Sequence, residues 1–102
     1  MADQSPLTLA ELRERREELI TLAERYGAYN LRVFGSVARG DAEANSDIDF
    51  FVSFRAGASL YDLSGLKQDF ASTLQRPVDI LVDHPRMRER LRRNILQYAV
   101  PL

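Results

Sequence analysis

Apolar residues recur along this chain with two different periods, and the alternation between them outlines its elements. Leu9, Leu12, Leu19, Ala23 and Tyr26 keep roughly helical intervals, and the charges between them (ERREE) form a solvated face. Thr8 stands three residues before Glu11, the spacing of a capping box, and Gly27 offers a helix stop. The spacing therefore predicts one helix from Thr8 to about Tyr26. Residues 29–34 and 47–54 read as strands, the second containing the apolar run FFVSF. Ser59 with Asp62 resembles a second helix start, and Leu60, Leu63, Leu66, Phe70 and Leu74 mark its apolar stripe. Arg76-Pro77 ends it, because proline disfavours helical backbone in the residue before it. Residues 78–83 form a third strand. Pro85 opens a last helix carrying Met87, Leu91 and Ile95, which Pro101 terminates.

The resulting order, α-β-β-α-β-α, predicts an α/β or α+β sandwich: a small mixed sheet with helices packed on one face. A length of 102 residues suits one domain, 1–102, with no internal repeat, linker or low-complexity segment. Residues 35–46 are the one long connection, and long connections are often functional. Cysteine is absent, which removes disulfides and thiolate chemistry and points to a reducing, cytoplasmic setting. No apolar run approaches the roughly 20 residues of a membrane span, and the amino terminus lacks the order of a secretory signal. Net charge is −1, yet it is unevenly spread. Every basic residue except Lys67 is arginine, and Arg86, Arg88, Arg90, Arg92 and Arg93 crowd one short run.

The stretch GSVARGDAEANSDID, residues 35–49, carries the candidate chemistry. Strand side chains alternate, so Asp47, Asp49 and Phe51 share one face, with the carboxylates about 6.5–7 Å apart. At an effective dielectric near 20 they repel by about 2.5 kcal/mol. A divalent cation between them reverses the sign. Carboxylate oxygens without nearby His or Cys favour Mg²⁺ or Mn²⁺ over zinc. In VDILV, if Val78 and Ile80 face the helices, Asp79 faces the same side as Asp47 and Asp49. Three such carboxylates could hold two metal ions and clamp a phosphoryl group. Gly35 permits close backbone approach to a ligand, the turn beginning at Ser36 could aim N–H groups at a phosphate, and Arg39 could reach a triphosphate oxygen.

Gly35-Ser36, ten residues, then Asp47-x-Asp49 resembles the signature of the nucleotidyltransferase superfamily that includes DNA polymerase beta. The fuller GSVARG…SDID, the chain length and the ending LQYAVPL are similar to its minimal nucleotidyltransferases, of the MntA antitoxin type. The resemblance spans nearly the whole chain and implies a polymerase-beta-like palm fold. It also implies that Gly35 and Ser36 hold the β- and γ-phosphates of a nucleoside triphosphate. Asp47 and Asp49 would bind two Mg²⁺ ions, and Asp79 matches the third carboxylate, which helps activate the attacking hydroxyl. Asp41 stands where related sequences often have Glu. Such proteins are encoded beside HEPN-domain ribonuclease toxins. The implied role is thus an antitoxin that moves AMP from ATP to a toxin tyrosine, with pyrophosphate released.

Two further functions remain open: an antitoxin that inhibits its toxin by binding alone, and nucleotidyl transfer to a small molecule. The latter needs a pocket for which the sequence offers no sign. His84 reads as a turn residue. Tyr26, Tyr29, Tyr61 and Tyr98 read as core-edge residues. For the basic run a solvated helix face is the commonest explanation, followed by a docking surface for an acidic partner. Direct nucleic-acid binding lacks an accompanying aromatic platform.

Overall fold

The computed structural model describes residues 6–102. The polar start at residues 1–5 lies outside the described residues. The chain runs α1 (Leu9–Glu14), α2 (Arg16–Arg25), β1 (Ala28–Phe34), α3 (Gly35–Arg39), β2 (Ile48–Phe54), α4 (Leu60–Leu74), β3 (Val78–Val82), α5 (Glu89–Tyr98) and β4 (Val100–Pro101). Its sheet has the order β3-β2-β1-β4, with β2 and β3 parallel and the other pairs antiparallel. This is the mixed α/β architecture that the hydrophobic periodicity predicts.

Both capping boxes form. Thr8 Oγ1 accepts from the Glu11 N–H at 3.1 Å while the Glu11 carboxylate accepts from the Thr8 N–H, and Ser59 and Asp62 repeat the exchange. The first helix differs from expectation by breaking at Arg15, whose φ of −104° and ψ of 15° are not helical. That break lets the Arg15 guanidinium donate to the Thr73 carbonyl at 2.8 Å, tying α2 to the end of α4.

Leu12, Leu19 and Ala23 from the first two helices meet Leu66, Phe70 and Leu74 of α4 over Val33, Phe50, Val52, Val78 and Ile80 of the sheet. Phe50 and Phe70 meet edge to face at 4.9 Å. The helices α1, α2 and α4 cover this face as expected. Helix α5 reaches the other face, where Arg92 grips Asp83 and where the buried Phe51 lies. Leu60 leaves the expected stripe: it is 82% exposed.

The last helix starts at Glu89 rather than at Pro85. His84 Nδ1 accepts from the Arg86 N–H and the His84 carbonyl from the Met87 N–H, so a turn forms there instead. Its packing face also shifts: Ile95 is buried but Leu91 is exposed. Beyond it, β4 was not legible in the sequence. Two residues pair with Arg32 and Val33, and the Leu102 N–H donates to Leu31. Tyr26 packs on the core and its hydroxyl donates to Asp69 at 2.6 Å. Tyr29, Tyr61 and Tyr98, expected at core edges, are exposed. No described helix is long and apolar enough to cross a membrane.

Candidate active site

The site begins where β1 ends. Phe34 is extended, and Gly35 then takes φ +72°, a left-handed conformation that side chains with a Cβ rarely adopt. The chain turns there into α3, so the first five residues of the expected loop form a short helix. It closes at Gly40, whose N–H and that of Asp41 both donate to the Ser36 carbonyl. Because Phe34 pairs with Asp49 across the antiparallel ladder, Gly35 is pressed against the Asp49 side chain. A Cβ built on Gly35 would overlap the Asp49 carboxylate. Glycine is thus demanded twice, by backbone angle and by space.

Asp49 stands on β2 between the buried Ile48 and Phe50. Its neighbour in the parallel register is Asp79, flanked by the buried Val78 and Ile80. Register partners in adjacent strands share a face, so the two carboxylates project together, away from the α1–α2–α4 layer. Burial pushes the Asp49 carboxyl above the usual carboxylate range, and the charges of Asp79 and then Asp47 push it further. Arg39 opposes that shift. Its own guanidinium is exposed and paired with Asp41 at 3.3 Å.

Asp47 is near enough to act on Asp49, but β2 begins one residue after it, and its side chain is exposed. Among the described residues, no three Asp, Glu, His or Cys side chains stand close enough together to hold a metal ion. The three carboxylates neighbour one another without converging on one point. Asp47 precedes the first residue of β2, so the strand pleat does not fix its side chain.

Beside these acids, further along the same face of the sheet, lies a cluster that sequence reasoning missed. Arg32, on β1 opposite Phe51, is only 9% exposed, and its guanidinium carbon sits 4.3 Å from the Phe51 ring centre. Phe34 meets the same ring edge-on at 6.2 Å. Asp83, just past β3, pairs with Arg32 at 3.6 Å and takes two hydrogen bonds from Arg92 of α5, at 3.0 and 3.2 Å. The Arg92 bonds hold the Asp83 carboxyl below its ordinary range despite burial, with Arg32 assisting. Burial lowers the Arg32 pKa, and Asp83 restrains that fall. A single arginine inside the run NLRVF was the available signal, since an arginine buried in a strand requires a carboxylate partner.

A mixed sheet that sets a glycine-opened turn against a strand carboxylate, with a second acid in register, defines a nucleotidyl-transfer class of domain. Residues 12–102 match the family described as "Nucleotidyltransferase domain", and the chain belongs to that family. Among curated relatives, it is 35% identical over 81 residues to protein adenylyltransferase MntA of Thermococcus cleftensis, covering 74% of this chain and 78% of that one. It is 34% identical over 83 residues to a Methanocaldococcus jannaschii protein provisionally named a protein adenylyltransferase, covering 78% and 89%. A solved structure provisionally named a minimal nucleotidyltransferase superposes with TM-score 0.82 at 43% identity, covering 94% of this chain and 97% of that one. A solved toxin–antitoxin structure with AMP-PNP shares the fold, with TM-score 0.67 at 23% identity and coverage of 83% and 69%.

Proposed function

We propose that this chain is an antitoxin adenylyltransferase: it moves AMP from ATP to a tyrosine hydroxyl of a HEPN-domain toxin and thereby neutralises it. The observation that carries the reading is Gly35 packed without a Cβ against Asp49, with Asp79 beside it in register. Membership of the nucleotidyltransferase family supports transferase chemistry. Relatives named protein adenylyltransferases support a protein acceptor. One fold neighbour is an MNT antitoxin in complex with a tri-AMPylated HEPN toxin of Shewanella oneidensis, which supports the choice of partner.

The donor set suits Mg²⁺, because Asp47, Asp49 and Asp79 offer only hard oxygens. Asp49, moreover, is disfavoured as an anion by burial and by both neighbours, a cost that a cation would reverse. Mg²⁺ bound there would supply charge neutralisation for the triphosphate. Gly35 and Ser36 hold the β- and γ-phosphates through backbone N–H groups and the Ser36 hydroxyl. Arg39 exchanges Asp41 for a triphosphate oxygen. The tyrosine oxygen forms its bond to the α-phosphorus as the bond to the bridging oxygen breaks, and pyrophosphate leaves in line. Asp79 takes the phenolic proton. Added AMP brings bulk and negative charge to the toxin, which would obstruct RNA cleavage.

The test mixes the purified chain, ATP and Mg²⁺ with the protein encoded beside it, expected to be a HEPN-domain toxin, and weighs that protein intact. A mass increase of whole AMP groups is expected. It should vanish with EDTA and in the Asp47→Asn, Asp49→Asn double variant. A partner inhibited equally well by the double variant, with no mass change, would establish neutralisation by binding alone.

A further inference from the structure

We propose that the end of the sheet remote from Asp49 and Asp79 is the docking surface for the acceptor protein. It would take a segment in which an apolar side chain is flanked by acidic residues. The inference rests on the reading of the acceptor as a protein. Asp49 and Asp79 lie near the start of the parallel strands β2 and β3, whereas a cleft of about 500 Å³ opens where both strands end, at Phe54 and Val82. Ala58, Leu63 and Pro85 add to its apolar lining. Leu60, also lining it, is 82% exposed, and Tyr61, next to it on the first turn of α4, is 88% exposed. An uncovered apolar cluster of this kind marks an interaction site.

Two arginines stand at the cleft, and the basic run continues from the second of them into α5. Arg55 lines the cleft, and Arg86 follows Pro85 directly. Arg86, Arg88, Arg90 and Arg93 are exposed, and none has an ion-pair partner among the described residues. The nearby acids are otherwise engaged: Asp83 by Arg32 and Arg92, Asp62 by its capping bond to Ser59. Glu89 is the single acid within the run. Of the five arginines, Arg92 alone fastens α5 to the sheet, so the others are left to face outward. A nucleic acid would satisfy the charge but leave Leu60 and the cleft uncovered. An acidic protein segment with an apolar anchor satisfies both.

The five-residue step from Asp49 to Phe54 spans about 16 Å of strand. A folded acceptor can bridge that distance, gripping one end while presenting its hydroxyl at the other.

The experiment measures affinity of the purified HEPN protein for the wild-type chain, Leu60→Asp, the Arg55→Glu, Arg86→Glu double variant, and Asp49→Asn. All four chains are also assayed for AMP transfer, and the thermal midpoint of each variant confirms that the exposed substitutions leave the fold intact. Docking variants should bind at least 10-fold more weakly and raise KM for the acceptor by the same factor, with kcat at saturation unchanged. Asp49→Asn should bind as wild type and transfer nothing. Equal affinity and KM in the docking variants would overturn the proposal while leaving transfer intact. Lost binding in those variants, with no AMP ever added by the wild type, would uphold docking and overturn the transfer reading. If the arginine variant instead lost affinity only for a single-stranded RNA oligonucleotide, the surface would be a nucleic-acid site and the proposal would fall.

Discussion

Replacing Gly35 by alanine tests the geometry of the site with an internal control. Gly35 and Gly40 open and close the same short helix, at φ +72° and +85°. Both positions would charge alanine the left-handed cost of about 1–2 kcal/mol. Alanine returns about 0.4–1 kcal/mol by restricting the unfolded chain. At Gly40 nothing lies within 4 Å of the added methyl, so Gly40→Ala should destabilise by about 1 kcal/mol. At Gly35 the methyl overlaps the Asp49 carboxylate, which strand pairing holds on both sides. Overpacking of this kind adds about 1–3 kcal/mol, for a total near 2–4 kcal/mol. At about 4 °C per kcal/mol for a chain of this size, the thermal midpoint should fall by about 4 °C in Gly40→Ala and about 8–16 °C in Gly35→Ala. Circular dichroism melts measure both. Intact-mass assay of AMP transfer, run below both midpoints, should find Gly40→Ala active and Gly35→Ala inactive. Equal midpoints, or wild-type transfer by Gly35→Ala, would refute the claim that backbone is packed here to seat the carboxylate.

Three further outcomes follow from the packing and the charges. Asp83→Asn leaves the buried Arg32 without its counter-ion and should cost about 3–5 kcal/mol by urea unfolding, whereas Arg92→Ala, at the exposed end of the same cluster, should cost far less. The two perturbed acids act oppositely with pH. Asp83, depressed in the folded state, contributes stability above 3.8 that is lost as pH falls through its folded value. Asp49, raised in the folded state, imposes a penalty that appears as pH rises from 3.8 through its folded value. Asp49→Asn should therefore raise the midpoint at pH 7 and lose that advantage below pH 3.8; an advantage that persisted in acid would point elsewhere. Gly65→Ala, which in an open helix would gain up to about 1 kcal/mol, places its methyl 2.5 Å from the Tyr26 ring, itself held by Asp69. It should instead lose about 1–3 kcal/mol, and a raised midpoint would show that Tyr26 yields.

What could be read from the chain was whatever is encoded within a few residues. The Thr8–Glu11 and Ser59–Asp62 boxes form because each exchange closes inside one helical turn. Strand alternation places Asp79 opposite Val78 and Ile80, so its face followed once those two were taken as core. Leu60 misled because a periodic stripe does not reveal where the sheet beneath it stops. Glu89, not Pro85, begins α5 because the His84 side chain captures the Arg86 N–H, a choice between two local bonds that composition does not decide.

Local chemistry along the chain was enough to set the helices and strands and to mark Gly35, Ser36, Asp47, Asp49 and Asp79 as candidates, since turn, cap and alternation are short-range effects. Only the tertiary structure decided that Asp49 and Asp79 are register neighbours, that Gly35 presses on Asp49, and that Asp83 joins Arg32 to Arg92. Those relations join residues from 9 to 51 positions apart. Their energies arise from burial and charge, which exist only once the assembled sheet has shielded these groups from water.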